Sequence, residues 1–252
     1  MTLPRVRPAA FFFTVLAVAL FAGFIALGTW QVERRAWKLD LIERVNARVN
    51  AAPVAAPVPA QWSKISAAND EYRHVLLSGT FLHDRETLVQ AVTRQGSGFW
   101  VLTPLRAADG SSTVLVNRGF VPADAREHSA RATNEPVGNV TVTGLLRLTE
   151  PGGGFLRRND AAGDRWFSRD VEAIAAARGL ANVAPYFVDA DANPAQPLPV
   201  GGLTVIAFHN SHLVYAITWY GLALMVVGAA WLVRRESLRR RIGENRRDVQ
   251  DD

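Results

Sequence analysis

The sequence predicts a membrane-anchored α+β protein in which two transmembrane helices flank a β-rich, antiparallel extramembrane domain. Three observations carry this. A 21-residue run from Leu213 to Val233 has no charge and only Thr218 as a clearly polar side chain. A second apolar run, residues 9–28, has Thr14 as its only polar side chain. Between them lie several short segments rich in branched and aromatic residues, separated by turn residues. A helix of 21 residues rises ~31 Å, the thickness of a bilayer's hydrocarbon core.

Charge placement agrees with that architecture. The net charge is +5 over 252 residues. Arg5 and Arg7 precede the first apolar run, and Arg234 and Arg235 follow the last, so the basic excess sits in the tails. Basic tails flanking apolar helices fit the positive-inside rule, which predicts both termini cytoplasmic and residues 33–211 outside. A nucleic-acid binder would instead carry its basic patch on the folded domain. The chain has no cysteine, which excludes disulfides, iron–sulfur clusters and thiol-based metal delivery.

Taken in order, residues 1–8 form a tail and residues 9–32 a first transmembrane helix. A cleaved signal peptide is the competing reading, but its apolar region is usually ~7–15 residues long. Residues 33–50 continue the helix amphipathically: Val32, Ala36, Leu39, Ile42 and Val45 recur every three to four residues, with Arg34, Arg35 and Lys38 on the polar face. Residues 51–60 read as a Pro/Ala linker. The domain over 61–211 is expected to hold strands at Tyr72–Phe81, Glu86–Thr93, Phe99–Pro104, Thr113–Val121 and Val140–Leu148, with a turn at 108–111. Asp170–Arg178 reads as a short helix capped by Ser168, with Gly179 as its stop. Tyr186–Asp189 reads as a strand, 191–202 as a proline-bearing spacer containing Asp191, and Leu203–Phe208 as a last strand. Residues 212–233 form the second transmembrane helix, and 234–252 a basic tail.

Candidate chemistry is sparse. No G-x-S-x-G elbow is present, and Pro151-Gly152-Gly153-Gly154 lacks the context of a phosphate loop. Asp189 and Asp191 are expected to be solvated, and His74, His83 and His128, which show no metal-ligand spacing, to be surface or satisfied polar residues. No enzyme activity is expected. His209 and His212 differ by position, at the start of the last apolar run. Spacings of three and four place His212, Tyr215 and Trp219 on one helix face, an imidazole above two aromatic rings. An interfacial aromatic belt with a polar helix start accounts for the same pattern. The functional alternative is haem ligation: imidazole as axial ligand to the haem iron, flat rings against the porphyrin, and Arg34, Arg35 or Lys38 near the propionates. Gly23 and Gly28, with Gly221 and Gly228, would let the two helices approach.

Several blocks in order resemble the surfeit-locus family of cytochrome c oxidase assembly factors. They are Leu27-Gly28-Thr29-Trp30-Gln31, then Arg34 or Arg35 with Trp37, Lys38 and Leu41-Ile42. Tyr72, Gly79 and Phe81 follow, then Gly98 with Thr103-Pro104-Leu105. The last two are Val116-Asn117-Arg118-Gly119-Phe120-Val121-Pro122 and His212-Leu213-Val214-Tyr215-Ala216-Ile217-Thr218-Trp219. Phe120 stands where the family usually has Trp, and Val214 where it usually has Gln. The resemblance implies an inner-membrane protein that serves maturation of the oxidase subunit carrying haem A. Its expected partners are that subunit, haem A synthase and membrane lipid, with no nucleic acid. It implies His212 as the ligand to haem A and gives His209 no such support. Arg118 in the Asn-Arg-Gly block is expected to be structural rather than ligand-binding, since a buried arginine must be paired to tolerate desolvation. A scaffold that binds oxidase subunits without ligating haem is the alternative.

Overall fold

The computed structural model describes residues 8–131, 135–154, 156–195, 198–206, 208 and 210–248, which fall into two compact units. One comprises residues up to Ile42 and from Ala207 onward; the other is Glu43–Ile206.

The first unit contains helix α1 (Pro8–Val49), whose last turns belong to the second unit, and helix α4 (His212–Asp248). Both are long and apolar enough to cross a membrane, over Phe11–Val49 and His212–Arg240. Phe11, Phe12, Phe13, Val18, Leu224, Met225 and Leu232 are exposed. Neither helix could keep such a surface in water without association, whereas lipid accommodates it.

The second unit is a β-barrel. Its strands are β1 (Val54–Ala55), β2 (His74–Phe81), β3 (Thr87–Thr93), β4 (Gly96–Ala107), β5 (Thr113–Pro122), β6 (Asn139–Leu148) and β7 (Val183–Ala190). Hydrogen bonding runs in the order β1-β2-β6-β7-β5-β4-β3, and β2 pairs again with β4, so β2, β6, β7, β5 and β4 close a ring. The seam pairs Gly79 with Ala107 and Phe81 with Leu105. A side chain at Gly79 would stand 2.1 Å from the Arg106 carbonyl oxygen, so the ring closes only on a glycine.

Most pairings are antiparallel, as the alternating pattern implies. Two are parallel: β1 with β2, and β5 with β7. The second has a topological cause. A closed ring of five strands cannot alternate direction throughout, so one neighbouring pair must be parallel, and it is β5 with β7, reached after a segment that carries helix α3 (Val171–Ala177). Alternation along each strand sorts two cores. Val75, Leu77, Phe81, Leu105, Val114, Val116, Leu146, Tyr186 and Val188 come from all five ring strands and fill the interior. Leu102, Leu115 and Phe187 point the other way, onto Trp166, Val171 and Ile174.

Four local expectations change. The Pro/Ala stretch is not a bare linker: Val54–Ala55 pairs with β2, Pro59–Lys64 is a 3-10 turn, and the Pro57 carbonyl accepts from Trp62 Nε1 (3.0 Å) and Tyr186 OH (2.9 Å). Asp170, not Ser168, caps α3, accepting from the Ala173 amide at 3.1 Å. Ser168 Oγ instead accepts from the Gly153 amide at 3.0 Å. The described residues of 203–208 form no strand. Asp189 is not solvated: it is buried at the end of β7, and Asp191 pairs with His74. The second and fourth have one reason. Short polar side chains in loops take whichever backbone or charged partner the fold brings near, and spacing does not report it.

Candidate functional site

Where α1 and α4 meet, Gln31 faces His212 and Phe24 faces Trp219, so the two helices run antiparallel. Gln31 Oε1 lies 2.7 Å from His212 Nδ1. Gln31 is 9% exposed, an amide buried just past the apolar run of α1. On α4, Ala216 and Ala223 are buried, marking the contact face as the one that runs down from His212. Two turns below, Trp219 stacks on Phe24, ring centroids 5.8 Å apart and planes 25° from parallel. Thr29 Oγ1 and Tyr220 OH share a hydrogen bond of 3.2 Å.

Gly28 explains how the helices come so close. A Cβ there would stand 2.7 Å from the Tyr220 ring. The same construction at Gly23, Gly221 and Gly228 meets nothing within 4 Å, so those three glycines are not at the contact. Only one of the four small residues expected to mediate approach does so.

The structure sorts the candidate residues. His212 and Trp219 share the contact face. Tyr215 does not: it is 54% exposed, because at i+3 from His212 it lies on the rim of a face centred on Ala216. Arg35 and Lys38 are half-buried and lie about one and two turns beyond Gln31 on its side of α1. Arg34 turns away, its guanidinium 4.2 Å from the Trp37 ring centroid. His209 lies outside the described residues. Gln31 was missed as a site residue, although a buried amide at the end of a span is itself a signal of a polar partner.

These residues suit a haem. Neutral imidazole offers one lone pair, and with Gln31 Oε1 accepting from Nδ1–H that lone pair is on Nε2. Flat rings lie two turns below, and two half-buried cations lie beyond. The site thus offers one nitrogen donor, an aromatic wall and counter-charges for carboxylates.

The barrel carries polar clusters of its own. Asp189 accepts from Asn117 Nδ2 (2.7 Å), Arg147 (3.0 Å), Arg169 (3.1 Å) and Thr204 Oγ1 (2.9 Å). Burial disfavours the charged Arg147, but Asp189 and Glu71 outweigh it and raise its pKa. Arg118 is buried, 3.8 Å from Glu86, with its guanidinium 5.5 Å from the Phe81 ring centroid. Desolvation holds its pKa below the ordinary value despite Glu86 and Glu135. His83 and His128, far apart in sequence, both approach Glu135, at 3.7 and 2.7 Å.

Comparison with known proteins supplies the remaining finding. The SURF1 family model matches residues 18–224, a span that includes Phe24, Gln31, His212 and Trp219. The chain is similar to Surfeit locus protein 1 of Rattus norvegicus, 38% identical over 238 residues that cover 88% of this chain and 74% of the relative. It is 40% identical to Surfeit locus protein 1 of Homo sapiens over 214 residues, covering 78% and 69%. Against the SURF1-like protein of Drosophila melanogaster it is 33% identical over 238 residues, covering 87% and 75%. Matching over most of its length, and carrying a β-barrel domain between two apolar helices in the sequence, the chain belongs to the SURF1 family, the surfeit-locus family of cytochrome c oxidase assembly factors.

Proposed function

We propose that this protein serves cytochrome c oxidase assembly by holding haem A at the α1–α4 pair and passing it to the oxidase subunit that carries it. The observation that supports this most is the Gln31–His212 hydrogen bond, which leaves the imidazole Nε2 lone pair for iron. Haem A as cargo brings an iron that takes axial nitrogen ligands, and carboxylate tails that need counter-charges. His212 donates the nitrogen, and Trp219 with Phe24 gives the apolar wall. Arg35 and Lys38 supply positive charge on the helix face of Gln31. Arg34 and Tyr215, directed elsewhere, have secondary parts.

In this reading α1 and α4 span a bacterial inner membrane with both termini cytoplasmic. The barrel is periplasmic, and His212 sits at the outer surface where α4 begins. The oxidase subunit is the recipient and haem A synthase the donor. No step requires catalysis by the protein, since its task is to bind and release.

The test is co-production of the full chain with a haem A-synthesising system. Purified wild type is expected to show a Soret band, and His212→Ala to lose it while staying folded in the membrane. A colourless wild type under those conditions overturns the haem reading and favours a scaffold for oxidase subunits.

A further inference from the structure

We infer that Gln31 is the positioning residue that fixes the tautomer and ring orientation of His212. The inference rests on the haem-site reading above for its purpose, but not for its test.

In a neutral imidazole one ring nitrogen carries a proton and the other a lone pair, and only the lone pair can bind a metal. Which nitrogen carries the proton depends on what each faces. Here Nδ1 faces a carboxamide oxygen at 2.7 Å, a strong acceptor with no proton of its own. That contact holds the proton on Nδ1 and leaves Nε2 unprotonated. An imidazole with no such partner has no comparable preference and rotates about its side-chain bonds.

The position of Gln31 argues that this contact is its role. It lies in α1, within the stretch long and apolar enough to span a membrane, and it is buried. A buried amide in such a setting is destabilising unless hydrogen-bonded. An apolar residue of similar size would fill the space between the helices without that requirement. The lower contacts secure the geometry independently: Tyr220 seated on Gly28, the Thr29–Tyr220 hydrogen bond and the Phe24–Trp219 stack all hold the helices together. The amide is therefore not needed to join α1 to α4. Its specific effect is on the imidazole, in the way a metal-binding histidine is oriented by a partner on its other nitrogen.

The test uses the full chain in lipid nanodiscs, free of haem, with 15N-labelled histidine. Long-range 15N–1H correlation spectra at a pH where the imidazole is neutral report the tautomer of each ring. His212 is identified by loss of its signals in His212→Ala. Wild type is expected to show the Nδ1–H tautomer. Gln31→Leu is expected to shift His212 toward Nε2–H, and Gln31→Glu, which keeps an acceptor oxygen, to retain Nδ1–H. An Nε2–H tautomer in wild type overturns the inference, as does an unchanged tautomer in Gln31→Leu. Because no haem is present, these outcomes stand apart from whether the protein takes haem A. In the haem-loaded protein, Gln31→Leu is expected to weaken retention by about 10- to 100-fold without abolishing it, and Gln31→Glu to restore most of it. Equal retention in all three proteins beside a shifted tautomer overturns the haem-site reading and leaves the tautomer assignment standing.

Discussion

Asp189 shows what a buried carboxylate does in this barrel. Four groups donate to it, two of them arginines, and it is 4% exposed. Removing it leaves Arg147 and Arg169 partly uncompensated away from water. Asp189→Ala is therefore expected to destabilise the domain by about 3–5 kcal/mol, read as a shifted denaturant midpoint. His74 makes a different case. Its Nδ1 faces the Ala51 carbonyl at 3.0 Å and its Nε2 faces Asp191 at 2.8 Å. Only the doubly protonated ring donates to both. Burial works against that form, but the hydrogen bonds and the charge of Asp191 outweigh it and raise the pKa above its ordinary value. The sign follows: the folded pKa lies above the unfolded one. The stabilisation is thus fully present below the unfolded pKa of about 6.5 and is lost as pH rises through the folded value. Denaturant midpoints measured from pH 5 to 9 should fall across that window in wild type, and His74→Gln should flatten the fall. Legibility at this scale was uneven. His212 could be picked out because it sits at the mouth of an apolar run and, unlike His209, falls within a block that resembles the family. Gln31 could not, because an amide at the end of a span also reads as the place where the span stops. Asp189 looks like a loop carboxylate because its partners are 15 to 72 residues away.

The helix pair and the strands differ in how much local pattern fixes them. Apolar length predicts α1 and α4, yet it does not say which face of either meets the other. That was decided by shape: the Tyr220 ring needs the missing side chain at Gly28. Gly28→Leu is expected to push the helices apart and break the Thr29–Tyr220 hydrogen bond. Its effect should be about 1–3 kcal/mol in a denaturant titration of the full chain in micelles. Gly221→Leu, where a Cβ meets nothing within 4 Å, is expected to change little in the same titration. Equal losses would mean that the Gly28 contact does not hold the pair. Among the strands, branched and aromatic content with polar turns located β2 to β7, and Asp109 closed the expected β4–β5 turn by accepting from Ser111 N at 2.9 Å. β1 and the Pro57 anchor escaped notice because proline and alanine carry little strand signal. Ser168 was chosen as a cap on spacing alone, while the chain placed Asp170 nearer the helix start.

For the whole molecule, the β-rich domain between two apolar helices was legible, but the ring was not. Closure depends on β2 meeting β4 at Gly79 and on a crossover that sets β7 parallel to β5. Both are long-range events with no periodic trace. Function was legible only through the ordered blocks that resemble the family, since no single residue names a cargo. The central claim is that oxidase maturation passes through the imidazole of His212. Its most direct test is the reduced-minus-oxidised spectrum of membranes from a deletion strain carrying wild type, His212→Ala or no copy, with extractable haem A measured alongside. The expected result is that His212→Ala, though present at wild-type level, matches the empty strain in lost oxidase-bound haem while haem A is still made. Full recovery of oxidase-bound haem by His212→Ala would contradict the claim.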